Sequence, residues 1–192
     1  MAPTGPIVTL LRHGETEWSR DGRHTGTTEV SLTATGEAQA RAAARLLDPP
    51  YDLVLVSPRT RARVTADLAG LGGGEVDADL AEWDYGAFEG RTTAQIRADV
   101  PGWSVWKGPW RGGETAADVT RRVDRLLARV LDQPAGARVA LVAHGHLLRV
   151  VGARWVGQPA EGGRAFGLDT AAVCELGWEH DYRVLRHWNL TP

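Results

Sequence analysis

The stretch "IVTLLRHGETEW" (residues 7–18) carries an apolar run straight into an adjacent arginine and histidine, Arg12 and His13, and then a glycine. Ile7 to Leu11 shows no polar alternation, as expected of a strand covered on both faces. In open α/β sheets ligands bind outside the carboxyl ends of the strands, which is where this basic pair stands. Two more runs have the same character, "DLVLV" (52–56) and "RVALVA" (138–143).

Helical patterns lie between and after these runs. "LTATGEAQARAAARLLD" predicts a helix with Thr33 as N-cap and with Ala38, Ala42, Leu46 and neighbouring alanines on one face. "SPRTRARVTADLAGL" predicts a second, with Ser57 as N-cap and Pro58 at the first helical position. "ETAADVTRRVDRLLARVLD" places Val119, Val123, Leu126, Leu127 and Val130 at helical spacing, with Thr115 as N-cap and Asp118 in the first turn. "GHLLRVVGARWVG" reads as a fourth helix. "AAVCELGWE" and "YRVLRHWNL" read as two strands joined by a turn near His180 and Asp181. Strands alternating with helices make an α/β sandwich. No repeat, low-complexity tract or linker divides the chain, so residues 1–192 are expected to form one domain. "LGGGE" (71–75), "DQPAGA" (132–137) and "GQPAEGGR" (157–164) read as loops. "PGWSVWKGPWRGGE" (101–114) has little periodicity and holds Trp103, Trp106 and Trp110, expected as either a satellite core or an apolar lid.

Composition narrows the function classes. A chain of 192 residues, 43% hydrophobic and 24% charged, fits one ordinary globular domain. The net charge of -2 gives no reason to expect nucleic acid or a membrane surface as partner. Lys107 is the only lysine among 22 basic side chains, a bias read as genome composition. Cys174 is the only cysteine, which rules out an intrachain disulfide and points to a cytoplasmic location. The start of the sequence has no cationic segment, and Ile7–Leu11 is too short for a signal peptide or a membrane span.

At the strand ends the sequence gathers Arg12-His13-Gly14, then Ser57-Pro58-Arg59 with Arg61 and Arg63, then His144-Gly145-His146. Arginine forks and helix N-termini bind phosphate oxygens, so these residues predict an anion pocket with imidazoles in it. A histidine there can hold charge, carry a proton or attack phosphorus. Attack needs a neutral imidazole whose other nitrogen is held by an acceptor. The leaving oxygen then needs a proton donor. Glu82, bracketed by Leu80, Ala81 and Trp83, offers a carboxyl in a partly apolar setting.

"RHGET" resembles the signature of the histidine phosphatase superfamily, whose fold is phosphoglycerate mutase-like. "SPRTRARVTA", "EWDYGAFEG" and "VAHGH" are similar to its second-arginine, acid-bearing and second-histidine segments, in the family's order. "HTGTTEVSLTATG" and "GPWRGGET" resemble the branch that holds actinobacterial broad-specificity acid phosphatases and fungal sedoheptulose-1,7-bisphosphatase. The resemblance implies a three-layer α/β/α sandwich with a mainly parallel central sheet. It implies that His13 is the nucleophile and forms a phosphohistidine, that Arg12, Arg61 and His144 clamp the phosphoryl oxygens, and that Glu82 is the general acid and then the base. Thr25 and Gly26 match a loop whose backbone lines the pocket, Ser19 stands where mutases carry asparagine, and Tyr85 matches a substrate-lining tyrosine. No cofactor is implied, and no third ligand accompanies His144 and His146 at zinc-like spacing, so no metal is expected.

Glu89 competes with Glu82 as the acid. Arg59 and Arg63 are expected to be solvated or salt-bridged, and His24, His180 and His187 structural or exposed. His146 is expected to support the site or mark the helix start. Glu114-Thr115 is a helix start with a pocket role left open. The expected partner is a small phosphorylated metabolite, and the oligomeric state, a homodimer included, stays open. A cofactor-dependent phosphoglycerate mutase shares the chemistry, but such mutases carry a longer insertion after the acid segment. Here 91–113 is short, with Arg91, Arg97, Lys107 and Arg111 as its only cations, which favours transfer to water. A non-catalytic phosphate-recognition module should have lost His13, Arg61 or Glu82, and all three are present.

Overall fold

The computed structural model describes residues 4–192. Six strands form one sheet: β1 (Ile7–Arg12), β2 (Leu53–Val56), β3 (Glu75–Val76), β4 (Arg138–Ala143), β5 (Val173–Glu179) and β6 (Tyr182–Leu190). Their order across the sheet is β3-β2-β4-β1-β5-β6. β1 pairs with β4 in parallel, as do β2 with β4 and β2 with β3. The closing hairpin adds β5 and β6 antiparallel. β3 lies at the end of the stretch that the sequence presented as a glycine-rich loop, and two residues are too few to leave a periodic signal.

Side chains that alternate along the strands build a core on each face. Val8, Leu10, Leu55, Val139 and Leu141 join one core, and Leu11, Val56, Ala140 and Val142 join the other. The first core is covered by α5 (Ala116–Leu131) and α6 (Gly145–Trp155), the second by α2 (Ala34–Ala43) and α3 (Thr60–Leu68). The result is the expected three-layer sandwich. The short helices α1 (Glu17–Arg20) and α4 (Thr93–Asp99) flank the strand ends.

α5 carries the expected cap, with Thr115 and Asp118 forming a capping box, and it buries Val119, Val123, Leu126, Leu127 and Val130. Two local expectations are corrected. α2 is capped by Thr33 as expected, but it buries Gly36, Ala40 and Ala43, while Ala38 is exposed. Alanines on both sides of the helix made the stripe ambiguous, and a shift of two residues turns the face by roughly 200°. A close glycine contact sets the actual face. A Cβ on Gly14 would stand 2.2 Å from the Gly36 carbonyl, and one on Gly36 would stand 2.0 Å from the Glu15 carbonyl. α3 begins at Thr60 with Arg59 as N-cap, not at Pro58 with Ser57. The Ser57 hydroxyl is drawn to another partner, described below.

The tryptophan-rich stretch is core. Trp103 and Trp106 are buried within the first cluster and Trp110 packs against it. The Trp103 indole N–H donates to the Pro109 carbonyl at 3.0 Å and that of Trp110 to the Val105 carbonyl at 2.7 Å, so the loop satisfies its own polar groups.

Candidate active site

His13 is the first residue beyond β1. Its backbone N–H donates to the Ala143 carbonyl at 2.9 Å, and the Ser57 N–H donates to the Val142 carbonyl at 2.9 Å, so the ends of β1, β2 and β4 are tied together. The His13 Nδ1 lies 2.7 Å from the Gly14 carbonyl oxygen. A carbonyl can only accept, so Nδ1 carries the proton and Nε2 keeps its lone pair. Burial, reinforced by the Arg12 and Arg61 charges, holds the imidazole well below its ordinary pKa. It is therefore neutral at pH 7.

His144 is fully buried at the end of β4, with its ring centroid 5.2 Å from that of His13. The Arg61 Nε–H donates to its Nδ1 at 3.3 Å. Its Nε2 must then carry the proton and donate to the Ser57 hydroxyl at 2.6 Å. Ser57 is thus a site residue that sequence reasoning missed, because Ser-Pro before a helix reads as a cap.

Arg61 is fully buried in the first turn of α3. Its Nη1 donates to the Thr28 carbonyl at 2.9 Å, and its Nη2 to the carbonyls of Thr25 at 3.0 Å and Gly26 at 3.2 Å. Glu89 holds the other side of that loop, accepting from the N–H groups of Gly26 at 2.9 Å and Thr28 at 3.0 Å. Glu89 is therefore a loop anchor. Gly26 is packed beneath the cavity, where a Cβ would stand 2.5 Å from the Trp83 carbonyl. Arg12 donates to the Leu168 carbonyl through Nη1, while its buried Nε has no partner.

The Glu82 carboxylate accepts from Trp83 N at 2.8 Å, Leu147 N at 2.9 Å and His146 N at 3.0 Å. It therefore caps α6, whose N-cap residue His144 makes no side-chain cap bond. The start of α3 likewise meets a carboxylate, with Thr60 N donating to Glu29 at 3.1 Å. The sequence had reserved both helix starts for phosphate. In the structure the positive helix ends are met by the chain's own acids. The Oε2 of Glu82 accepts only one of the three bonds, so it retains a free lone pair.

The segment bearing Glu82 is held by a buried fork. Arg122 pairs with Glu114 at 2.8 and 2.9 Å and donates to the carbonyls of Asp79 at 2.8 Å and Ala81 at 2.7 Å. Glu114 also accepts from Asp84 N at 3.0 Å, and its carbonyl accepts from the Trp83 indole at 2.8 Å. Glu114 thus anchors the acid-bearing segment and does not line the cavity. Arg59 meets Glu29 at 3.6 Å and Arg63 is exposed.

A cavity of about 170 Å³ brings Arg12, His13, Ser19, Thr25, Glu82 and Tyr85 together. Arg61, His144 and Gly26 lie behind this surface. The same cavity is lined by Arg23, His24, His146, Arg149 and Leu168, for which the sequence assigned no substrate contact. His24 is buried against Tyr85 and Trp103, the structural one of its two expected roles. The Tyr85 hydroxyl and His146 Nδ1 share a hydrogen bond at 2.6 Å, and burial with nearby Glu82 keeps the phenol well above its ordinary pKa. His144 and His146 therefore face different partners. Among the described residues no three of His, Cys, Asp and Glu are grouped to hold a metal ion. A larger neighbouring cavity of about 400 Å³ shares Arg12 and Ser19 but contains neither His13 nor Glu82.

The family model described as the histidine phosphatase superfamily (branch 1) matches residues 8–191. An acid phosphatase of Mycobacterium tuberculosis is 48% identical over 187 residues, covering 95% of this chain and 91% of the relative. A sedoheptulose 1,7-bisphosphatase of Saccharomyces cerevisiae is 32% identical over 203 residues, covering 88% of this chain and 71% of the relative. The solved structure of a functionally characterised Mycobacterium tuberculosis protein superposes with a TM-score of 0.91 at 47% identity, covering 96% of this chain and 97% of the other. No helix among the described residues is long and apolar enough to cross a membrane.

Proposed function

The chain belongs to the histidine phosphatase superfamily (branch 1) and is a phosphoric monoester hydrolase, and on that premise we propose that it hydrolyses small phosphorylated metabolites through a phosphohistidine at His13. The observation that carries the mechanism is the His13 tautomer, with Nδ1–H given to Gly14 and Nε2 left with its lone pair.

In the proposed first step the Nε2 lone pair forms a bond to phosphorus and the ester P–O bond breaks. Glu82 gives its proton to the departing oxygen. In the second step Glu82 takes a proton from water, the water oxygen attacks phosphorus, and the P–N bond breaks to release orthophosphate and neutral His13. The Arg12 guanidinium, which lines the cavity, supplies charge-assisted hydrogen bonds to the phosphoryl oxygens. Arg61 adds its charge and has one N–H beyond the four engaged with His144 and the 25–28 loop. His144, itself held by Ser57, keeps Arg61 in place, and Ser19, Thr25 and Tyr85 line the substrate. Because burial and two cations keep His13 neutral well below its ordinary pKa, acidic conditions leave the nucleophile intact. Residues 1–192 are read as one domain, of which the family model matches 8–191. A cytoplasmic location is part of this reading, supported by a single cysteine that is buried.

Phosphoryl charge that is met by guanidinium groups needs no Lewis acid. Turnover of phosphomonoesters therefore survives exhaustive treatment with EDTA. Phosphate release before and after chelation checks this, and loss of activity restored by zinc or magnesium would overturn it.

A further inference from the structure

Arg61 is gripped by four hydrogen bonds, whereas among the described residues the Arg12 guanidinium makes one, from Nη1 to the Leu168 carbonyl. The place of that carbonyl therefore decides how the Arg12 fork is presented to the cavity. We infer that Asn189, at the end of the edge strand β6, is a positioning residue for Arg12 and acts through the loop 168–172. This rests on the reading of Arg12 as a phosphoryl clamp.

The loop holds the Arg12-His13 pair by its backbone as well. The Arg12 N–H donates to the Ala172 carbonyl at 3.1 Å, and the Ala171 N–H donates to the His13 carbonyl at 3.1 Å. Inside the loop the Ala172 N–H donates to the Asp169 carbonyl at 3.3 Å. Ala171 is fully buried with a φ of 55°, a left-handed conformation that a residue with a Cβ disfavours. Such a turn persists only where its surroundings hold it, so the loop needs an anchor from outside.

β6 supplies that anchor. Between the pairs Val173–Leu190 and Glu175–His187, β6 has one residue more than β5, a bulge at Trp188 and Asn189. Asn189 takes a φ of 59°, which asparagine tolerates better than most residues. Its backbone N–H donates to the Cys174 sulfur at 3.3 Å, a weak acceptor. Its side chain faces Asp169. Oδ1 accepts from the Asp169 backbone N–H at 2.7 Å, and Nδ2 donates to the Asp169 carboxylate at 2.8 Å. One acceptor and one donor thus meet one donor and one acceptor, a match that an ionised aspartate at 189 cannot make. The Trp188 indole N–H donates to the Gly167 carbonyl, so the bulge holds the chain on both sides of Leu168. Asn189 does not line the cavity, and its effect on the reaction passes through the loop.

The test is a double-mutant cycle read by kcat/KM on p-nitrophenyl phosphate and by inhibition with inorganic orthophosphate, with thermal melts alongside. Asn189→Gly keeps the backbone conformation and removes both side-chain bonds. It is expected to lower kcat/KM and to weaken orthophosphate inhibition, each by about 10-fold, the scale of a misplaced binding group. In an Arg12→Lys background, where the fork is already gone, the same change is expected to cost no more than about 2-fold. Asn189→Asp sets carboxylate against carboxylate and is expected to be impaired. Adding Asp169→Asn exchanges the donor and the acceptor and is expected to restore most of the loss. Wild-type kinetics in Asn189→Gly would overturn the inference, as would an equal loss in the Arg12→Lys background, the mark of a purely structural role. Should Asn189→Gly not fold, the exchanged pair decides, and its failure to recover orthophosphate affinity relative to Asn189→Asp would overturn the inference. Arg12→Lys alone separates the two failures. If it binds orthophosphate and turns over substrate like the wild type, the clamp reading of Arg12 fails; if it is impaired but does not couple to Asn189, only the positioning role is wrong.

Discussion

Replacing His13 by alanine lowers kcat on the order of 10⁴-fold or more on every phosphomonoester, the scale seen when the bond-forming residue of a catalytic set is removed. His144 lies behind the cavity with both ring nitrogens engaged, by Arg61 and Ser57, and His146 Nδ1 is bonded to the Tyr85 hydroxyl. The fold survives the change, because the contacts of His13 that join strand ends are made by its backbone, from its N–H to Ala143 and from Ala171 to its carbonyl. Steady-state rates alongside a thermal melt separate the two effects. Activity within about 100-fold of the wild type in the folded variant would show that another residue attacks phosphorus.

The second large effect depends on the leaving group. An alkoxide leaves poorly without a proton, whereas p-nitrophenolate leaves well. Glu82→Gln therefore slows phosphorylation by alkyl phosphates by about 10²–10⁴-fold and by p-nitrophenyl phosphate much less. The substitution also has a structural cost. Glu82 accepts from three backbone N–H groups, and the amide of glutamine would turn two donors toward one of them. A disturbed α6 start slows both substrates alike, so only the difference between them reports the acid. Arg61→Ala supplies the contrast, since it removes charge that both transition states share and releases the 25–28 loop. Single-turnover phosphorylation is the step to measure, because Glu82 also activates water in the second step. Equal slowing of both substrates by Glu82→Gln would remove it from the role of acid.

The sequence disclosed what is local and periodic. The buried strands, the closing hairpin, and the starts of α5 and α6 could all be read from runs of apolar residues and their caps. The motif residues at the strand ends could be read too, because the sheet itself brings Arg12-His13, Arg61 and His144 to one edge. Contacts between distant residues stayed hidden. Ser57 looks like a helix cap until β4 brings His144 to within 2.6 Å of its hydroxyl, across 87 residues of chain. His24 and Arg149 carry no motif, and they reach the cavity because Tyr85, Trp103 and Trp106 pack against them or beside them. The inner face of α2 was misread for a similar reason. Alanine repeats do not say which side is buried, and the deciding contact is Gly36 against Gly14 and Glu15.

The central claim is that the phosphoryl group passes through the side chain of His13. Its most direct test is a millisecond acid-free quench of the wild type under single-turnover conditions with a phosphorus-labelled alkyl phosphate, followed by peptide mapping. The account predicts label on His13 that is lost in acid, is stable in alkali, and is absent from the His13→Ala variant. Label on any other residue, or phosphate release with no labelled enzyme at any time point, would contradict it.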